Sequence, residues 1–160
     1  MKALVYVERT IPSYYCDDRT QVAADIARTR QWWDLERATY DCFISAAVLD
    51  ELKSGEYPNK QACLNLVQAI PLLEVNAEVL EIARVYQVRG LMPKPPSADA
   101  LHLALASFYR MDFLLTWNCR HIANANKTKH LEVLNQGMGL AVPKLITPYQ
   151  LLPWEKTDEE

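Results

Sequence analysis

The chain has 160 residues, of which 50% are hydrophobic and 23% are charged. This length fits one globular domain, and the composition excludes two full domains and disorder along the whole chain. The formal net charge of -3 argues against a strongly basic nucleic-acid-binding protein. However, residues 153–160 alone sum to -3, so the remaining chain is formally neutral and can carry local basic patches.

Five short apolar runs predict the strands of one sheet, since amphipathic segments separate them. The runs cover residues 3–7, 42–44, 72–75, 113–117 and 145–147. Strands that alternate with helices are typical of an α/β domain with a mainly parallel sheet. We predict one domain over residues 1–154, followed by a disordered acidic tail over residues 155–160.

Helices are predicted over about residues 22–33, 46–53, 59–69, 76–89, 98–110 and 124–135. Ser45, Asn76 and Ser97 are predicted to cap three of them, and Gly90 to end the fourth. In that fourth helix, Val79, Leu80, Ala83 and Tyr86 are expected to face the core.

Adjacent residues on a helix point about 100° apart, so we expect only one member of the Trp32–Trp33 pair to lie squarely in the core. The other tryptophan is expected at an interface between subunits. No apolar run is long enough for a signal peptide or a membrane helix, so we expect a cytoplasmic protein without a membrane partner.

Four polar residues follow the predicted strands or begin the next helix: Glu8, Glu51, Asp99 and Asn118. In open parallel sheets, ligands bind beyond the carboxyl ends of the strands, so these side chains are expected to converge there. Three carboxylates at one place repel each other unless a cation lies between them. Oxygen ligands favour Mg²⁺ or Mn²⁺. Singly, each carboxylate is typical of a solvated surface group or a helix cap.

Four segments carry a resemblance to a known family. Residues 5–15, VYVERTIPSYY, resemble the opening of PIN-domain proteins, and residues 45–52, SAAVLDEL, resemble the segment with the second acidic residue. Residues 99–106, DALHLALA, are similar to the helix start with the third acidic residue, and residues 114–118, LLTWN, to the segment with the fourth polar position. The segments stand in the family's order and span about residues 3–150.

This resemblance implies a three-layer α/β/α PIN-like domain and a metal-dependent ribonuclease, most similar to the VapC-type toxins of toxin–antitoxin pairs. Such a protein acts on RNA, is inhibited by a cognate antitoxin and forms a homodimer. Glu8, Asp99 and Glu51 would hold Mg²⁺ or Mn²⁺, with Glu51 and Asn118 positioning a second ion or the attacking water.

Further side chains are expected to support this site. Thr10 and Thr116 would hydrogen-bond the carboxylates. Cations that lie close to the four site residues in sequence would bind RNA phosphates. These residues are Arg9, Lys53, Lys94 and Arg120.

Two positions depart from the family pattern. Glu8 replaces the usual Asp, which predicts stronger activity with Mn²⁺ than with Mg²⁺ and improved Mg²⁺-dependent cleavage after Glu8→Asp. Asn118 replaces an Asp of many relatives, which lowers the charge of the site and favours one metal over two. The alternative is a degenerate PIN-like module that binds RNA or a protein partner without catalysis, and a third class is a purely structural or interaction protein.

Other residues are assigned no chemistry. His102 lies in an apolar helix and is interpreted as a packed histidine. Cys119 and His121 lack further ligands at zinc-binding spacing, and no C-x-x-C motif or disulfide framework is present. Tyr14 and Tyr15 are interpreted as packing residues, with stacking on RNA bases as the alternative.

Overall fold

One sheet of five parallel strands organises residues 1–153, the part of the chain that the computed structural model describes. The strands are β1 (Leu4–Val7), β2 (Asp41–Ser45), β3 (Leu72–Leu73), β4 (Phe113–Leu115) and β5 (Lys144–Ile146). The predicted mainly parallel five-stranded sheet is therefore confirmed. The predicted domain end at residue 154 and the acidic tail over residues 155–160 lie outside the described residues.

Seven α-helices accompany the sheet within residues 1–153. They are α1 (Thr10–Tyr15), α2 (Ala23–Gln31), α3 (Ala46–Lys53), α4 (Lys60–Val67), α5 (Ala77–Val88), α6 (Asp99–Phe108) and α7 (Thr128–Met138). Successive side chains of a strand point to opposite faces, and Val5, Tyr6 and Val7 of β1 are all fully buried. Both faces of the sheet are therefore covered, as in a three-layer α/β domain. Helix α1 was not predicted.

The strand order β3-β2-β1-β4-β5 places β1 at the centre of the sheet. The chain first adds β2 and β3 on one side of β1, and then returns to add β4 and β5 on the other side. The order thus reverses between β1 and β4, and ligands of open α/β sheets bind at the carboxyl ends of the strands at such a reversal. Glu8 and Thr116 directly follow these two strands.

Helix α5 confirms most of its predicted signals. Asn76 caps it, with its side-chain oxygen accepting a hydrogen bond from the Val79 amide at 2.9 Å. Val79, Ala83 and Tyr86 are buried as predicted, but Leu80 is 55% exposed, so its predicted core position is wrong. The buried stripe follows positions three and four apart from Val79, and Leu80 lies about 100° away from that stripe.

The expectation that Trp32 and Trp33 cannot share the core is wrong. Trp32 is 0% and Trp33 is 5% exposed. The chain forms a π-helical turn over Trp32–Glu36, and the two rings pack against different neighbours. Trp32 stacks on Tyr40, whereas Trp33 contacts Tyr15 and lies under the Arg37 guanidinium, 4.7 Å from the ring centroid. The tryptophan pair therefore gives no support to a homodimer.

Within residues 1–153, no helix has the length and apolar character that would let it cross a membrane.

The cysteines are expected to differ sharply in reactivity. Cys63 is buried, and burial raises its thiol pKa to about 12, whereas Cys119 is exposed. Since the thiolate is the nucleophile, iodoacetamide at pH 8 should alkylate Cys119 and leave Cys63 unmodified until the protein unfolds. Mass spectrometry of tryptic peptides, with and without guanidinium chloride, measures the difference. Equal alkylation of both thiols in the native protein would contradict the packing around Cys63.

Candidate active site

The four predicted site residues come from four separate elements. Glu8 follows β1, Glu51 lies in the last turn of α3, Asp99 begins α6, and Asn118 lies three residues beyond β4. The arrangement follows from the topology, because β1, β2 and β4 are parallel and their carboxyl ends share one edge.

Glu8 is held by one of its two carboxylate oxygens. Its Oε2 accepts hydrogen bonds from the Thr10 amide at 2.9 Å, the Thr10 hydroxyl at 2.5 Å and the Thr116 hydroxyl at 2.9 Å. Its Oε1 accepts no hydrogen bond from any residue between 1 and 153, although Glu8 is only 2% exposed. Glu8 is therefore a rigidly held buried carboxylate with one oxygen available to a ligand. Thr10 and Thr116 make the contacts that were predicted for them.

Glu51 has both oxygens engaged. Oε1 accepts a hydrogen bond from His102 Nε2, and Oε2 lies 3.5 Å from Arg9 Nε. Burial acts to raise the pKa of the Glu51 carboxyl, but the His102 hydrogen bond and the charges of His102 and Arg9 outweigh it and hold the pKa below its usual value. Glu51 is therefore ionised at neutral pH.

Glu8, Glu51 and His102 form a group of potential metal ligands within residues 1–153. Their ligand atoms all lie within 4.8 Å of one another. His102 was interpreted as a packed histidine, and it is indeed fully buried, but both ring nitrogens are at hydrogen-bond distance from polar side chains. The sequence signal that places His102 close to the acidic residues is its position three residues after Asp99, about one helical turn further along α6.

Asp99 and Asn118 form a second pair, outside that group of three. Asn118 Nδ2 donates to Asp99 Oδ1 at 3.3 Å, while Asn118 Oδ1 accepts the His121 amide at 3.1 Å. The Asn118 amide N–H also donates to the Thr116 hydroxyl at 2.9 Å. Because Thr116 in turn donates to Glu8, hydrogen bonds link Asp99 to Glu8 through Asn118 and Thr116.

The predicted phosphate-binding cations are only partly brought together. Arg9 is exposed beside Glu51, and Lys94 and Arg120 are exposed on the segments that precede α6 and follow Asn118. Lys53 instead lines a separate groove, with Ile44 and Leu49 among its other walls. The reason is geometric, because residues two apart on a helix point in different directions.

Lys127 is a further cation near Asp99, and it was not predicted from the sequence. Its Nζ donates to the His121 carbonyl at 3.0 Å, in the loop that Asn118 organises. Burial lowers the pKa of Lys127, and the nearby Asp99 carboxylate partly restores it. No motif marks Lys127, since it reaches Asp99 only through the fold.

The tyrosines after Pro12 pack within the protein. Tyr14 stacks on Trp117, with ring centroids 5.4 Å apart, and the Tyr15 hydroxyl donates to Asp34 at 2.8 Å. Both rings are partly buried, in agreement with the packing interpretation.

A cavity of about 590 Å³ opens beside Glu51 and Arg9. Arg19, Tyr57 and Asn59 are among its other lining residues. The cavity is large enough for part of an extended polymer substrate, and it is lined by Glu51 and Arg9 but not by Glu8, Asp99 or Asn118.

The parallel sheet, its strand order and the acidic edge define a PIN-like α/β fold, as the sequence motifs predicted. A solved structure with this fold is that of VapBC2 from Rickettsia felis, bound to a DNA fragment from the VapBC2 promoter. The matched chain is 15% identical, with a TM-score of 0.52, and the match covers 90% of this chain and 98% of that chain. At this identity the similarity concerns the fold alone. No protein-family model and no curated protein matches the sequence.

Proposed function

We propose that the protein is a metal-dependent endoribonuclease that acts as the toxin of a toxin–antitoxin pair. It hydrolyses phosphodiester bonds of RNA with Mg²⁺ or Mn²⁺ as cofactor. Its partners are a cognate antitoxin protein and a second copy of the chain. The antitoxin is supported by the similarity to the VapBC2 structure and by the sequence motifs, and the homodimer by the motifs alone.

The state of Glu8 is the observation that carries this proposal. The residue is 2% exposed and three donors occupy Oε2, whereas Oε1 has no partner among residues 1–153 and is not sealed from solvent, so a cation can reach it. Glu51 and His102 lie within 4.8 Å, and no thiol belongs to the group, so the donor set fits a hard divalent cation.

The chain's own residues have separable roles in this reaction. Glu8, Glu51 and Asp99 would hold the cation, which would lower the pKa of a bound water and polarise the scissile phosphate. Thr10 and Thr116 keep Glu8 in one orientation, and Asn118 does the same for Asp99. Arg9 can leave Glu51 for an RNA phosphate without disturbing any buried group, since its side chain is 45% exposed.

The proposal predicts cleavage of RNA that requires an added divalent ion. Purified protein is incubated with total RNA and tRNA in Mn²⁺, in Mg²⁺ and in EDTA, and the products are resolved on denaturing gels. We expect faster cleavage with Mn²⁺ and none with EDTA, with 5′-phosphate and 3′-hydroxyl ends by family resemblance. Cleavage that persists in EDTA, or none with either metal, would overturn the proposal.

A noncatalytic PIN-like module is the second candidate, and one observation favours it. Both oxygens of Glu51 already have partners in His102 and Arg9, so the negative charge of Glu51 is partly neutralised without a metal. This candidate predicts that RNA or a protein partner binds equally well in EDTA and in Mn²⁺. Calorimetric titration with Mn²⁺ then shows no binding.

A further inference from the structure

A buried chain of hydrogen bonds leads through the interior to Glu51. Ser45 Oγ lies 2.8 Å from the Tyr6 hydroxyl, this hydroxyl lies 2.6 Å from His102 Nδ1, and His102 Nε2 bonds Glu51 Oε1. Ser45, Tyr6 and His102 are fully buried. Burying three polar side chains is costly unless each is paired, and here each one is.

Both ring nitrogens of His102 have a hydrogen-bond partner in this series. An ionised carboxylate only accepts, so Nε2 of His102 carries the proton that bonds Glu51. Burial raises the pKa of Tyr6 far above its usual range, so the phenol keeps its proton, and its oxygen lies 2.6 Å from Nδ1 of His102. Ser45 Oγ is the other hydrogen-bond partner of the Tyr6 hydroxyl. The Ser45 side chain is directed toward Tyr6 and makes no side-chain cap for α3, contrary to the sequence prediction.

We infer that His102 is a positioning residue that holds the Glu51 carboxylate toward Glu8 and does not itself bind the ion; this inference rests on the proposed function. Both ring nitrogens are occupied, so His102 has no lone pair to offer a cation while it bonds Tyr6 and Glu51. The ring is fully enclosed and cannot turn without breaking the chain.

The inference gives helix α6 two functions at the site. Asp99 in its first turn supplies one carboxylate directly, and His102, three residues later, orients the carboxylate of Glu51 from α3. The spacing of Glu8 and Glu51 is then set by the interior of the protein rather than by the exposed Arg9.

Three substitutions of His102 separate positioning from ligation. His102→Gln places an amide N–H near the position of Nε2 and keeps a donor for Glu51, whereas His102→Asn reaches only the position of Nδ1 and loses it. His102→Leu loses both contacts. By calorimetry we expect Mn²⁺ affinity near that of wild type for the Gln variant and a decrease of about 10–100-fold for the Asn and Leu variants. The kcat for RNA should fall in parallel, with KM unchanged.

Tyr6→Phe tests the chain one step further from the site. It keeps the buried ring and removes only the hydroxyl that bonds His102 Nδ1. We expect a smaller loss of Mn²⁺ affinity than in His102→Asn. The control is Thr39→Val, which also removes one hydroxyl but lies outside this series of hydrogen bonds. Circular dichroism confirms that each variant is folded.

A measurement without metal keeps the inference independent of the nuclease assay. In crystals grown with EDTA, the Glu51 carboxylate of His102→Asn should leave the position that it has in wild type. If Glu51 does not move and Mn²⁺ affinity is unchanged, the positioning role is wrong. If His102→Gln loses as much affinity as His102→Asn, and pulsed EPR of wild type detects nitrogen coupled to Mn²⁺, His102 is a ligand instead. If Glu51 moves but wild type binds no Mn²⁺ and cleaves no RNA, positioning stands and the proposed function falls.

Discussion

Replacing Asp99 by Asn is expected to abolish metal-dependent RNA cleavage and to leave the melting temperature nearly unchanged. The substitution removes one charge but keeps an oxygen that accepts the Asn118 Nδ2 hydrogen bond. Loss of the favourable interaction with the N-terminus of α6 costs roughly 0.3–1 kcal/mol, and reduced repulsion among the carboxylates in the metal-free protein offsets part of it. Activity should fall by more than about a hundredfold, since loss of an outer partner of a metal ligand already costs 10–100-fold.

The matched control for Asp99→Asn is Asp50→Asn. Asp50 is exposed and precedes Glu51 on α3, so its substitution makes the same chemical change near the site without touching it. Cleavage rates with Mn²⁺ and melting curves are measured for both variants. A melting temperature lowered by more than about 8 °C would mark Asp99 as structural, because 1 kcal/mol shifts Tm by about 2–4 °C in a chain of this size. Unchanged cleavage would remove Asp99 from the site.

The fold was predictable because its signals are local and repeated. Each strand is a short apolar run, and caps such as Asn76 mark where a helix begins. The errors lie where tertiary contacts override local signals. Residues 10–15 form a helix around Pro12 that no periodicity indicated, and the π-helical turn at Trp32 buries two adjacent side chains that a regular α-helix would point in different directions.

The candidate site was predictable in the polar residues that follow the strands, which include Thr116 as well as Glu8. These follow strands whose carboxyl ends meet at one edge, so topology alone brings Glu8 and Thr116 together. The connections of His102 could not be predicted, because they join β1, β2, α3 and α6 and only the tertiary structure brings these four elements together. Lys127 is likewise placed near Asp99 by the loop after β4, and the sequence contains no sign of that contact.

Glu8→Asp is the second substitution with a large expected effect, and the structure reverses the expectation drawn from the sequence. The sequence comparison predicted better Mg²⁺-dependent cleavage with the shorter side chain. In the structure, Oε2 is the acceptor for the Thr10 amide, the Thr10 hydroxyl and the Thr116 hydroxyl. Shortening the side chain withdraws the carboxylate by about 1.5 Å, the length of one C–C bond. We therefore expect cleavage with both Mg²⁺ and Mn²⁺ to fall by more than about a hundredfold.

The cost in stability should accompany this loss of activity, and Glu8→Gln separates the two effects. Leaving buried donors without an acceptor costs about 1–3 kcal/mol each, so Glu8→Asp should be less stable than wild type by at least about 2 kcal/mol. This corresponds to a melting temperature about 4–8 °C lower. Glu8→Gln keeps the length and one acceptor oxygen, so it should lose cleavage with a smaller change in Tm. A Glu8→Asp variant with wild-type Tm and faster Mg²⁺-dependent cleavage would contradict this expected loss of stability and activity. Such a result would mean that β1 can shift and bring the shorter carboxylate to the same three donors.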